Sequence, residues 1–229
     1  MRALHTLKHL FGIAALCGLA FASAGAQADP AKPADGVEYL TLATPQPTDT
    51  GKKIEVIEFF AYWCPHCNVF EPLLEAWVKK QGNNIVFKRV HVPYNEGTLP
   101  QQKLYFTLES LGLADQYQTQ VFHAVHAERN RLNRDEQAIE WAAKAGIDSK
   151  KFVDTYRSFG VQAKVRRASA MMDSYKIESW PTVVIDGRFQ TSPHQAGAGS
   201  RAPLSEAEQH TGALQVMDFL VAKAKAEKK

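Results

Sequence analysis

From Ile54 to Tyr62 the chain is apolar at nearly every position, directly after the Gly51-Lys52-Lys53 break. Continuous apolarity, in place of alternation, predicts a strand in the middle of a sheet covered on both faces. After a pair of cysteines, Val69, Phe70, Leu73, Leu74, Trp77 and Val78 recur with helical period and predict a helix to about Gln81. Asn83-Asn84 breaks that pattern, and Ile85–Val92 is strand-like again. Strand, helix, strand predicts a parallel pair joined by a right-handed crossover. Upstream, Val37–Leu42 predicts a short first strand, and Asp29–Asp35, with its two prolines, a flexible lead-in.

From about Gly97 to Lys176 the period is helical. Leu99–Leu113, Ala114–Arg129, Asp135–Ala145, Lys151–Phe159 and Val161–Tyr175 are the predicted helices, with Gly112, Gly146 and Gly160 near their ends. Strand character returns at Thr182–Ile185, and Asp186-Gly187 leads into Arg188–Thr191, a hairpin signature. Ser192–Pro203 reads as a polar loop, followed by a last helix near Ser205–Lys225 with Leu214, Met217, Leu220 and Val221 on one face. The order predicts an α/β fold. A sheet domain over residues 29–96 and 177–229 is interrupted by an all-α insertion over 97–176, long enough for a small core of its own.

The chain has 229 residues, 45% hydrophobic and 22% charged, which fits an ordinary globular protein and excludes a disordered or collagen-like one. Three cysteines are too few for the disulfide scaffold of a small secreted domain. At the N-terminus, Arg2 and Lys8 precede an apolar run of 13 residues, Leu10–Ala22, and then Ala26-Gln27-Ala28. That layout predicts a cleavable signal peptide over residues 1–28, since 13 residues cannot span a hydrocarbon core of about 30 Å. Leu16 before Cys17 is too bulky for a lipid-attachment site. Cleavage after Ala28 removes Cys17 and two basic residues, leaving 25 Lys+Arg against 24 Asp+Glu. A balance so close to neutral gives no sign of nucleic-acid binding.

The remaining cysteines form Trp63-Cys64-Pro65-His66-Cys67, where the strand gives way to the helix. A helix N-terminus supplies unpaired N–H groups and a positive dipole end that stabilise a thiolate. Pro65 suits a first helical turn, and His66 adds positive charge beside the sulfur. Together these lower the Cys64 pKa and favour the reduced form, the condition for a strong oxidant. By linkage, the reduced protein is expected to be the more stable form at neutral pH. A zinc site lacks a second cysteine pair, and His91, His123, His126, His194 and His210 show no finger-like spacing to the first. The shared face of His123 and His126 reads as an ordinary helix face and not as a metal site, and no metal or cofactor is expected. A purely structural bridge closing a four-residue loop contributes only about 2 kcal/mol, so redox chemistry is the reading favoured.

Glu58-Phe59-Phe60-Ala61-Tyr62-Trp63-Cys64-Pro65-His66-Cys67, with the exported chain, the helical insertion and Pro181-Thr182, resembles the DsbA family of periplasmic thiol:disulfide oxidases. The resemblance covers about residues 37–225 and implies a thioredoxin-like sheet domain with the helical insertion. It implies that Cys64, nearer the helix start and more exposed, is the sulfur attacked by a substrate thiolate, with Cys67 as its buried partner. Glu58 matches the family's buried acid and is expected to accept a proton from Cys67 or tune it electrostatically, or else to pair with Lys88 or Arg89. Pro181 is expected to be cis by the resemblance alone. Trp180 departs from the small or β-branched residue that usually precedes that proline. Trp63, Trp180, Pro181 and Thr182 are the expected substrate groove.

The implied partners are unfolded exported proteins with free thiols and a DsbB-like membrane reoxidant, and a monomer is expected. A reductase or isomerase of the same superfamily is the nearest alternative. Known isomerases carry a separate dimerisation domain, for which the roughly 25 mature residues before Ile54 are too few. A chaperone-like binding module is the alternative from another class.

Overall fold

A computed structural model describes residues 32–228. The predicted signal peptide, with Cys17, lies outside the described residues. The elements run β1 (Leu40–Thr41), β2 (Ile54–Phe60), α1 (Pro65–Gln81), β3 (Ile85–His91), α2 (Leu99–Ser110), α3 (Ala114–His126), α4 (Asp135–Lys144), α5 (Ser149–Tyr156), α6 (Phe159–Tyr175), β4 (Thr182–Ile185), β5 (Phe189–Thr191), α7 (Pro193–Ala196) and α8 (Glu206–Glu227). The first strand is shorter than its apolar run implies. The supposed polar loop contains α7, which Ser192 caps by accepting from the Gln195 N–H.

One sheet holds the strands in the order β1-β5-β4-β2-β3. β2 pairs parallel with β3 and antiparallel with β4, and all seven of its residues are buried, as its unbroken apolar run requires. β4 and β5 form the antiparallel hairpin, turning at Asp186 and Gly187 with φ of +52° and +64°. Gly187 is obligatory there, since a Cβ would lie 2.2 Å from the Gln46 carbonyl oxygen.

The sheet has a core on each face. Val56, Ile185, Phe70, Leu74, Trp77, Met217 and Leu220 pack it against α1 and α8. On the other face Ile57 and Phe59 join Leu104, Phe122, Phe152 and Tyr156 in one continuous cluster. The insertion therefore has no separate core, because its helices bury their apolar faces against the sheet. This cluster extends to Tyr62, Cys64 and Cys67, so the reactive pair rests on the joint between sheet and helices.

Candidate active site

β2 ends at Phe60, and four residues later Cys64 becomes the N-cap of α1 with extended backbone, φ −80° and ψ 117°. Pro65 takes the first helical position, where no backbone donor is needed. The Cys64 sulfur accepts the Cys67 N–H at 3.3 Å, filling the role a serine or aspartate oxygen usually plays at a cap. Both cysteines are free thiols.

Their environments differ in one decisive respect. A hydrogen bond from the Cys67 thiol, then the N–H groups of Cys67 and His66 and the His66 charge, lower Cys64 from 9.0 to about 7 against the opposing effect of burial. Burial, with the neighbouring Cys64 and Glu58 charges, pushes Cys67 well above 9.0. One sulfur is thus the thiolate and its partner keeps the proton. Cys64 is less open than its place at the helix start suggests: it is 2% exposed against 0% for Cys67. The Trp180 carbonyl lies 3.7 Å from its sulfur. Trp180–Pro181 is cis and places this backbone beside the thiol.

The Cys64 value also moves the expected stability window. A folded pKa of about 7 below an ordinary 9.0 contributes stability that is complete above pH 9.0 and lost as pH falls through 7. The neutral-pH advantage of the reduced form is therefore only beginning at pH 7. Melting curves of reduced and oxidised protein are expected to show the reduced form gaining about 2 kcal/mol of relative stability between pH 7 and 9. Curves that stay parallel over that range would refute this assignment.

Behind the pair, Glu58 has Arg89 as its cation, one of the two the sequence offered. Its Oε2 accepts from Arg89 Nε at 3.0 Å, while its Oε1 is buried without a partner. Burial and the adjacent Glu71 charge outweigh Arg89 and raise Glu58 to about 8, so it keeps its proton at neutral pH. Lys88 is not its partner and pairs instead with Glu55, at 2.7 Å, and Asp49. Arg89, with a side chain only 7% exposed, also reaches Glu71 at 2.6 Å and Asp115 at 3.1 Å. Gln118 extends the network, donating to Glu71 and accepting from the Tyr62 hydroxyl at 2.9 Å.

Around the entrance, Trp63 and Trp180 meet edge to face with ring centroids 5.5 Å apart. Tyr94, which is 65% exposed, lies 4.9 Å from Trp63 and 6.2 Å from Trp180. On the other side a cavity of about 430 Å³ is lined by His66, Trp180, Pro181, Pro193, His194 and Glu206, among others. Thr182 does not line the groove. It is 1% exposed and donates to the Ser179 carbonyl, because β4 pairing turns it into the sheet. His123 and His126 diverge: His123 contacts Glu128, and His126 donates to the Tyr62 carbonyl at 2.7 Å, bracing the loop before Cys64. Tyr94, Glu71 and Glu206 carry no signal in the redox motifs of the sequence, which offered Arg89 only as an alternative to Lys88. Only Glu206 had a local marker, since Ser205 and Glu208 form a capping box that announces the start of α8.

With the cysteine pair, the cis proline and the inserted helices in place, comparison with known proteins is decisive: the DSBA-like thioredoxin domain matches residues 55–203. The chain belongs to that family. It is 40% identical over 214 residues, 93% of this chain and 96% of the relative, to the thiol:disulfide interchange protein DsbA of Burkholderia cepacia. It is 38% identical to the protein of the same name from Bordetella parapertussis, over 96% of this chain and 98% of the relative. The crystal structure of Pseudomonas aeruginosa DsbA superposes with a TM-score of 0.75 at 30% identity, covering 84% of this chain and 94% of that one. This member of the DSBA-like family is a thiol:disulfide oxidoreductase, and the depressed Cys64 and protonated Cys67 are the groups such exchange requires.

Proposed function

We propose that the protein oxidises dithiols in exported proteins by donating a Cys64–Cys67 disulfide. The observation that carries the direction is the depressed Cys64 pKa, which stabilises the reduced product and so makes the oxidised form an electron acceptor. A substrate thiolate attacks the Cys64 sulfur, the Cys64–Cys67 bond breaks, and Cys67 leaves with the electron pair. Cys67 then takes up a proton, with Glu58 at about 8 as the nearby group able to hold or supply one at neutral pH. A second substrate thiolate attacks the substrate sulfur of the mixed disulfide. The substrate gains a disulfide, and Cys64 departs as its stabilised thiolate. Two electrons now rest on the protein and must pass to an external disulfide or quinone-linked oxidant, for which a DsbB-like membrane protein fits the chemistry.

The same reading places the mature chain in the periplasm after removal of residues 1–28, as a monomer without cofactor. The Trp63–Tyr94–Trp180 cluster and the adjoining cavity supply the surface for an extended chain. Equilibration with glutathione buffers tests the direction. A potential near thioredoxin's, about −270 mV, would make the protein a reductase.

Trp180→Val tests the groove. Losing an aromatic contact of about 1–2 kcal/mol at the substrate surface is expected to change transfer rates about five- to thirtyfold, unequally among thiol peptides. Stopped-flow rates that stay equal to wild type for every peptide would remove Trp180 from the binding surface.

A further inference from the structure

The cavity lined by His66, Trp180 and Pro181 also holds side chains that the exchange steps above do not use. Glu206, the first residue of α8, places Oε1 2.7 Å from His66 Nδ1 and 3.8 Å from His210 Nε2. Ser205 caps α8, and the positive end of that helix favours a carboxylate in its first turn. His210 is 1% exposed against the Phe70 ring, and burial lowers its pKa, so it stays neutral at pH 7. His194 of α7 lines the same cavity. The charge pair at the cavity wall is therefore His66 with Glu206. It joins the turn that carries both cysteines to a helix 140 residues away.

We propose that Glu206 is a positioning residue for thiol exchange, holding the His66 imidazolium beside Cys64 and so keeping that sulfur a thiolate at neutral pH. The proposal rests on the exchange reading and adds a residue to it. A free imidazole, with a pKa of about 6.5, is mostly uncharged at pH 7.5. Glu206, and then the Cys64 thiolate, move the His66 titration upward, so the imidazole carries its charge over more of the neutral range. The carboxylate also repels the thiolate directly. His66 lies in the first helical turn that Cys64 caps, and its charge is among the groups that lower Cys64. Side-chain exposures of 68% and 45% leave the pair screened by solvent, which limits the effect to about 1.5- to 5-fold.

A double-mutant cycle of Glu206→Gln and His66→Ala separates the two influences. The readouts are thiolate ultraviolet absorbance and the glutathione equilibrium at about pH 7.5. Glu206→Gln alone is expected to weaken Cys64 ionisation by about 1.5- to 5-fold, lowering the thiolate fraction and shifting the equilibrium at that pH toward the protein disulfide by about 1.3- to 2.5-fold. In the His66→Ala background the same substitution is expected to give no loss of thiolate. Histidine NMR is expected to show the His66 midpoint falling in Glu206→Gln. An equal loss in both backgrounds, an unchanged His66 midpoint, or no change in thiolate would each overturn the proposal. The wild-type potential decides the oxidase reading separately, since the thiolate titration needs only a reduced Cys64.

Discussion

Cys64→Ser is expected to lower disulfide transfer to a dithiol peptide by roughly three orders of magnitude or more, the scale seen when a nucleophile is removed. Its fold is expected to survive. A serine oxygen is a preferred N-cap and can accept the Cys67 N–H that the sulfur accepts now, so α1 keeps its start. What disappears is the sulfur that forms the mixed disulfide. Cys67→Ser is expected to fail differently: Cys64 keeps its capped position and still forms mixed disulfides by attacking activated disulfides, releasing their thiolate, but has no partner to re-form an internal disulfide. Peptide oxidation followed by fluorescence, with circular dichroism of each variant, checks both. More than a trace of transfer by a folded Cys64→Ser protein would place the chemistry elsewhere.

Arg89→Met is expected to cost about 3–5 kcal/mol at pH 8, the usual penalty for leaving buried carboxylates without their cation. Arg89 holds Glu58 and Glu71, both nearly inaccessible, from one guanidinium, and Asp115 is its only strongly exposed partner. Burial raises the pKa of both buried acids. The penalty is therefore expected to shrink as pH falls and the two carboxyls take up protons. Urea unfolding at pH 5 and pH 8 measures the difference, and a variant equally stable at both would show that Arg89 does not hold the acids. In the wild-type protein, Glu58 titrates near 8 when folded and near 4.5 when unfolded. Between those values the folded state binds the extra proton, so stability falls with rising pH by roughly 3–5 kcal/mol at full effect. Glu58→Gln is expected to flatten that slope.

The fold was legible because its signals are local. Ile54–Tyr62 announced a central strand through apolar continuity, and the helix ended at Gln81 as the period required. Boundaries moved where caps intervene: Asp148 starts α5 at Ser149, and Ser158 starts α6 at Phe159. The cysteine pair was legible for the same reason, since strand end, N-cap, proline and histidine fall within five consecutive residues. Glu58 stood out as an acid in an apolar strand. Its partner did not, because Lys88 and Arg89 are adjacent in sequence and point to opposite faces of β3, and only the β2–β3 register selects Arg89.

By itself the sequence determined an α/β chain with a helical insertion and a reactive thiol at a helix start. Periodicity, capping and local charge all act over a few residues and can be read in order. Tertiary structure decided that Cys64 is nearly covered, that Trp180 stands at the entrance and Thr182 does not, and that Arg89 and Glu206 govern groups far from them in sequence. Burial and the approach of distant charges set those pKa values, and neither exists until the chain has packed.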